Sequence, residues 1–415
     1  MKILLSNIRQ LLQVRDEVKQ PLRGSQMVEL PILEEAWLLL DGDLIADYGS
    51  MRLNTLPEAD QIVDCTGKFV LPTWCDSHSH LVYAGNREGE FIDRLNGLSY
   101  QEIAAKGGGI LNSAELLQRT SEKDLYQQSE QRLKEVMALG TGAMEIKSGY
   151  GLTEESEMKM LKVARQLEEN HPIDIKTTFL GAHAIPKEFN KNGDAYIDHI
   201  IKEILPAVAK EELADFIDIF CEEGYFNVAQ MESIIQAGQQ FGLAAKVHLN
   251  QFNSIGGIPA AVRHKALTVD HLEVMKEEDY EALQSGETLA VALPGCSYFL
   301  GIPYTPAREL IQRNIPLALA TDMNPGSAPS GNMNFVLSAA CIKMKMTPEE
   351  AINASTINGA FAMGLENTHG SITRGKKASV IITKQIPSYG YLPYSFGSDL
   401  IHQVLIAGKE IRTNN

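Results

Sequence analysis

The chain holds only two tryptophans and five cysteines in 415 residues, with no Cys-x-x-Cys pair. The cysteines, Cys65, Cys75, Cys221, Cys296 and Cys341, are scattered and odd in number. That argues against a disulfide framework and for free thiols in a reducing cytoplasm. Positive charge is also scarce: 37 Lys and Arg stand against 53 Asp and Glu, a net charge of −16. Nucleic acids and anionic membranes need a basic footprint, so neither is expected as a partner. No apolar run approaches the roughly 18 residues of a membrane span. The opening residues, Met1-Lys2-Ile3-Leu4-Leu5-Ser6-Asn7, lack a long apolar stretch with a small-residue cleavage site, so no signal peptide is expected. Gly107-Gly108-Gly109 lacks the Gly-Lys-Ser/Thr that a phosphate loop needs, and predicts a loop over a pocket instead.

What is present reads as a two-part architecture. Residues 1–66 look like short strands and turns, as in Ala36-Trp37-Leu38-Leu39-Leu40, Asp41-Gly42-Asp43 and Leu44-Ile45-Ala46. Similar material returns at Ala378 to Thr383 and Gln403 to Ile411. The expectation is a small β-sandwich domain formed from both chain termini, 1–66 plus 370–415. Between them, 67–369 alternates apolar strand candidates with helical spacing, as over Glu154 to Asn170 and Val228 to Phe241. Alternation at that pitch predicts a parallel sheet, and about eight units predict a closed (β/α)8 TIM-like barrel. A doubly wound open sheet is the alternative.

Within the barrel region His78-Ser79-His80 ends the run Gly67 to Asp76. Residues i and i+2 of an extended chain point the same way, so two imidazoles can grip one ion. A lone His-x-His is weak evidence. Three later apolar runs strengthen it by ending in His248, in Asp270-His271 and in Asp322. Barrel sites lie at the carboxyl ends of strands, where these residues fall. His78, His80, His248 and Asp322 are the candidate ligands of one divalent metal, zinc or iron. His271 is a fifth ligand or a partner of the metal's water, and His183 ends another strand. His171, His199, His264, His369 and His402 sit in loop or helix settings and receive no role.

The order of these ligands resembles the amidohydrolase superfamily of metal-dependent hydrolases. Many members bridge two metals with a modified lysine on the fourth barrel strand. Counting strands in sequence puts His183 on the fourth here and Lys147 on the third, so one metal is expected. The flanks are more specific. His80-Leu81-Val82-Tyr83-Ala84-Gly85-Asn86-Arg87, Leu98-Ser99-Tyr100-Gln101-Glu102-Ile103, Glu145-Ile146-Lys147-Ser148-Gly149-Tyr150-Gly151 and Thr321-Asp322-Met323-Asn324-Pro325-Gly326-Ser327 resemble the imidazolonepropionases. The likeness runs from about residue 65 to 370.

That resemblance implies hydrolysis of the cyclic amide of 4-imidazolone-5-propanoate to N-formimidoyl-L-glutamate, in histidine degradation, by a metal-activated water. It implies a cytoplasmic homodimer acting on a small molecule. Arg87 clamps the substrate carboxylate, as a planar guanidinium can. Tyr150, Tyr100, His183, Asn324, Gly326 and Ser327 join it in binding. Gln251 stands where some relatives carry glutamate, and its amide can bond the ring but cannot act as a base. Asp322 and His271 move the proton, while His183 polarises the carbonyl. The alternatives are another cyclic amidohydrolase, a nucleobase aminohydrolase on the same scaffold, and a metal-binding pseudoenzyme.

Overall fold

The computed structural model describes residues 1–52, 56–98, 102 and 108–413. The chain opens with β1 (Lys2–Leu12), β2 (Ile32–Asp41), β3 (Leu44–Ser50), β4 (Gln61–Asp64) and β5 (Phe69–Pro72). Eight strands follow: β6 (Trp74–Asp76), β7 (Thr141–Lys147), β8 (Asp174–Ala182), β9 (Phe216–Cys221), β10 (Ala244–Leu249), β11 (Thr268–His271), β12 (Leu289–Ala292) and β13 (Leu317–Leu319). The chain closes with β14 (Val380–Thr383), β15 (Ile401–Ile406) and β16 (Lys409–Thr413).

β6 to β13 pair in chain order and all run parallel. They form the expected barrel. Its seam is closed just past the strands, where the Asp322 N–H donates to the His78 carbonyl at 2.9 Å and the His80 N–H to the Met323 carbonyl at 2.8 Å. This closure sets Asp322 beside the His-x-His pair. The surrounding helices carry the sequence signals that start them. Thr153 caps Glu154–Asn170, whose first turn holds Glu154, Glu155 and Glu157, and Asn227 with Gln230 makes a capping box for Val228–Gln240.

The terminal strands form one curled mixed sheet in the order β16-β15-β14-β5-β1-β2-β3, with β4 on the first half of β1. A register shift between Leu5 and Ile8 lets β1 pair with β4 early and β5 late. The sheet curls back on itself where Ile45 N–H donates to the Lys376 carbonyl and Ala378 N–H to that of Asp43, joining the β3 end to the segment before β14. Ile3, Leu5, Ile8, Leu38, Val380 and Leu405 fill its interior.

Two expectations change. The run Gly67 to Asp76 is not one strand: Phe69–Pro72 joins the terminal sheet, and only Trp74–Asp76 enters the barrel. The strand count also shifts. Lys147 ends the second barrel strand and His183 follows the third, while the fourth, β9, ends in Cys221. The extra strand expected before Lys147 is replaced by the helices Glu88–Leu95, Ile110–Arg119 and Glu122–Ala138.

Candidate metal centre and active site

His78, His80, His248, His271 and Asp322 converge at the carboxyl end of the barrel, each about 2% exposed or less. His78 Nε2 and His80 Nε2 lie 3.5 and 3.6 Å from Asp322 Oδ1. His248 Nε2 lies 3.4 Å from His80 Nε2. Ligands about 2.0–2.1 Å from a tetrahedral ion stand about 3.3–3.4 Å from one another, so these spacings suit a shared cation. His78 Nε2 has no hydrogen-bond partner among the described residues although it is buried. The donor set therefore fits a zinc-type ion. Candidate ligand groups are His78 with His80 and Asp322, His78 with His248 and His271, and His271 with Cys296 and Asp322, with ligand atoms inside 4.8 Å in each.

The far side of two rings explains their orientation, while His80 Nδ1 is buried with no hydrogen-bond partner among the described residues. His78 Nδ1 donates to Asp270 Oδ2 at 2.6 Å, and His248 Nδ1 donates to Asp218 Oδ2 at 2.8 Å. Each carboxylate fixes the tautomer that leaves Nε2 as a lone pair. Burial, then the neighbouring cations, holds His78 and His248 well below the usual histidine range. His80 is lowered too, by burial and then by His183. Burial pushes Asp322 up to about 6, with His271 opposing the shift. Burial also disfavours charge on His271, but Glu273, 3.4 Å from its Nδ1, together with Asp322 and Asp270 raises it. Asp322 and His271 sit at positive φ, 54° and 86°. Non-glycine residues tolerate that conformation at a cost, and here it turns both side chains inward.

A cleft opens over this cluster. Arg87, Tyr150, His183, Gln251, Asn324 and Ser327 line it with His80, His248, His271 and Asp322. Arg87 is buried, and its Nε donates to Glu90 Oε2 at 2.9 Å. Its guanidinium lies against Gly326, where an added Cβ would stand 2.2 Å from Arg87 Cζ. Only glycine leaves room for that approach. Tyr150 packs at 5.2 Å from the His183 ring and 5.7 Å from His80. Gln251 Nε2 reaches Cys296 Sγ at 3.2 Å. Tyr100 lies outside the described residues.

Two of the expected residues make hydrogen bonds that fix their orientation. His183 Nδ1 donates to the Gly149 carbonyl at 3.0 Å, and burial lowers its pKa to about 4. A neutral ring so bonded presents Nε2 as an acceptor, and His183 lines the cleft. Asn324 is occupied within its own loop. Its Nδ2 donates to the Asp322 carbonyl at 2.6 Å and Ser327 Oγ at 2.7 Å, and its Oδ1 accepts from the N–H groups of Gly326 and Ser327 at 2.8 and 2.7 Å. These bonds shape the loop after Asp322, and Asn324 also lines the cleft.

Several residues here were given no role in sequence. Asp218, Asp270 and Glu273 orient three histidines. Glu157 is fully buried and accepts the N–H groups of Gly149, Gly151 and Leu152 at 2.9, 2.8 and 2.7 Å, holding the loop that carries Tyr150. The available signal was a carboxylate interrupting an apolar strand, as in Phe216-Ile217-Asp218-Ile219-Phe220.

The fold and this cluster define a class. A model described as the amidohydrolase family matches residues 69–411, and the chain belongs to that family. Structural neighbours agree on the fold. An atrazine chlorohydrolase from Arthrobacter aurescens, solved with zinc, superposes with a TM-score of 0.72 at 14% identity over 99% of this chain and 95% of that one. Guanine deaminase of E. coli gives 0.74 at 12% identity over 100% of both. Sequence narrows the likeness to imidazolonepropionases. The chain is 62% identical to that of Christiangramia forsetii over 99% of itself and 100% of the relative. It is 40% identical to that of Alkaliphilus metalliredigens over 98% and 97%.

Proposed function

We infer that the chain is an imidazolonepropionase, which adds water across the cyclic amide of 4-imidazolone-5-propanoate and releases N-formimidoyl-L-glutamate in histidine degradation. The observation that carries the reading is the joining of two features. The chain is 62% identical to an imidazolonepropionase along its length, and its His-rich cluster lies under an arginine-lined cleft.

His78, His80, His248 and Asp322 are the residues that would hold one divalent ion, zinc or iron. When bound, that ion supplies a water of lowered pKa and a Lewis acid for the carbonyl. The chain's own groups do the rest. Arg87 holds the propionate, and its burial removes competing water. Neutral His183 accepts a ring N–H, and the Gln251 amide and Tyr150 hydroxyl border the ring. Asp322, its basicity raised by burial, takes the proton of the attacking water. His271, beside Glu273, donates to the developing oxyanion. The carbon–nitrogen bond of the ring amide then breaks, and Asp322 returns its proton to the leaving nitrogen. Gly326 and Ser327 contribute by seating Arg87 and Asp322.

The same reading takes residues 1–66 with 370–415 as one domain and 67–369 as the other, with Phe69–Pro72 lent to the terminal sheet. It places the enzyme in the cytoplasm as a homodimer acting on a small molecule alone. Among the described residues no helix is long and apolar enough to cross a membrane.

The test is loss of imidazolonepropionate absorbance with metal-loaded protein. Turnover with one equivalent of metal is expected. Ammonia release from purines or pyrimidines without imidazolonepropionate loss would instead make the chain an aminohydrolase, and neither activity would leave a metal-binding scaffold.

A further inference from the structure

Beneath the metal ligands lies a cluster of charges that the reaction itself does not use. Glu145 and Lys147 on β7, Asp218 on β9, Lys246 on β10 and Asp270 on β11 are all buried, none more than 2% exposed. Burying five ionisable groups in a barrel core is costly unless each is paired. They are paired, but not alike. Lys147 Nζ lies 2.6 Å from Glu145 Oε1, 2.9 Å from Asp218 Oδ2 and 3.7 Å from Asp270 Oδ2. Lys246 Nζ lies 2.7 Å from Glu145 Oε2 and donates to the carbonyls of Ser77 and Ala362 at 2.9 and 2.8 Å. It bonds neither aspartate, although its charge favours the Asp270 carboxylate from a distance, as that of Lys147 does at close range.

The two aspartates that meet Lys147 are those that hold His248 and His78. Lys147, Asp218 and Asp270 come from the second, fourth and sixth barrel strands, and alternate strands share one layer of a barrel interior. One ammonium thus stands between the carboxylates of two metal-binding histidines that are 170 residues apart in sequence. We propose that Lys147 is a positioning residue for the metal centre, the cation that keeps Asp218 and Asp270 as acceptors so that His78 and His248 present their Nε2 lone pairs together. Without it, two carboxylates share a dry layer with no cation between them. With nothing to hold them together they turn away from each other and release the rings. This assignment rests on the metal reading given above.

The experiment uses full-length protein freed of metal and titrated with Co²⁺ against a chromophoric chelator. The Co²⁺ d–d absorption reports ligand geometry independently of turnover. Lys147→Met should weaken Co²⁺ binding about 10- to 100-fold, the usual effect of losing a group that orients metal ligands, and should alter the d–d bands. Lys246→Met removes the same buried charge and should stay within about threefold with unchanged bands. The double variant Lys147→Met with Glu145→Gln keeps the cluster's net charge, carries the same expectation, and stands in if the single variant does not fold. Lys147→Met binding Co²⁺ like wild type, or Lys246→Met losing as much, overturns the proposal. Wild type that binds no Co²⁺ overturns the metal reading itself, which separates the two failures.

Discussion

The barrel centre and the terminal sheet solve burial in opposite ways. Around the barrel axis Glu145, Lys147, Asp218, Lys246 and Asp270 are out of solvent, directly below a histidine cluster. In the strands of the terminal sheet no Lys, Arg, Asp or Glu is buried, and the one buried cation beside them, Lys376, is held by the His369 carbonyl and Ser371 Oγ. The sheet's interior is aliphatic, from Ile3 and Leu38 to Val380 and Leu405. Apolar burial is the cheaper route to stability, because each buried charge must recover its lost hydration from a partner. The barrel accepts that cost where rings must be aimed at an ion, and the sheet avoids it where nothing is aimed. Damage to the two regions should therefore separate into lost chemistry and lost stability.

The largest expected effect is chemical. Asp322→Asn keeps the side chain's shape and removes the proton acceptor. Its kcat/KM should fall about 10³- to 10⁴-fold, about 4–5.5 kcal/mol, with an unchanged far-ultraviolet circular dichroism spectrum. A variant within tenfold of wild type would remove Asp322 from catalysis. Next comes stability. Leu38→Ala deletes a fully buried side chain in the sheet, and urea unfolding should show a loss of about 2–5 kcal/mol. The kcat/KM at 25 °C should stay within twofold. A parallel fall in activity would mean that the regions are coupled and the contrast is wrong. A smaller effect is expected in binding. Arg87→Ala should raise KM about 10- to 100-fold, about 1.4–2.7 kcal/mol, with a lesser change in kcat. An unmoved KM would place the propionate elsewhere.

The contrast also explains what could be read in advance. Strand ends carrying His248, His271 and Asp322 are visible because each interrupts an apolar run, and barrel topology puts such ends in one mouth. The strand count was not legible. Some 65 residues separate Trp74–Asp76 from Thr141–Lys147, enough for another strand, and helices fill the interval. Nor was the split of Gly67 to Asp76 legible, because both halves are equally apolar and only pairing assigns them to different sheets. Asp218 and Asp270 could be seen as carboxylates within strands, but their link to His248 and His78 joins strands distant in sequence. The tautomer of His183 depends on one carbonyl, that of Gly149, which no residue pattern announces. The four loop hydrogen bonds of Asn324 are likewise invisible in the sequence.

The smallest expected effect lies where the two regions meet. His369 is buried just before the chain returns to the sheet. Its Nε2 lies 3.2 Å from Asp174 Oδ2, at the start of β8, and its Nδ1 lies 2.9 Å from the Thr368 hydroxyl. Burial lowers its pKa to about 4, more than Asp174 can offset. The unfolded chain, with an ordinary histidine pKa near 6.5, then binds more protons than the folded one between about pH 6.5 and 4. Stability from this group is full above pH 6.5 and is lost as the pH falls through that window, by about 1 kcal/mol at pH 5.5. Asp76, Asp270 and Asp322, raised by burial to about 7, 6 and 6, titrate nearby with the opposite sign. The difference between wild type and His369→Gln isolates the histidine, because the carboxylate contributions cancel. Urea midpoints from pH 7.5 to 5.5 should fall more steeply for wild type than for the variant. Equal slopes would mean that Asp174 compensates the buried ring, and that the joint, like the barrel centre, pairs its charge rather than excluding it.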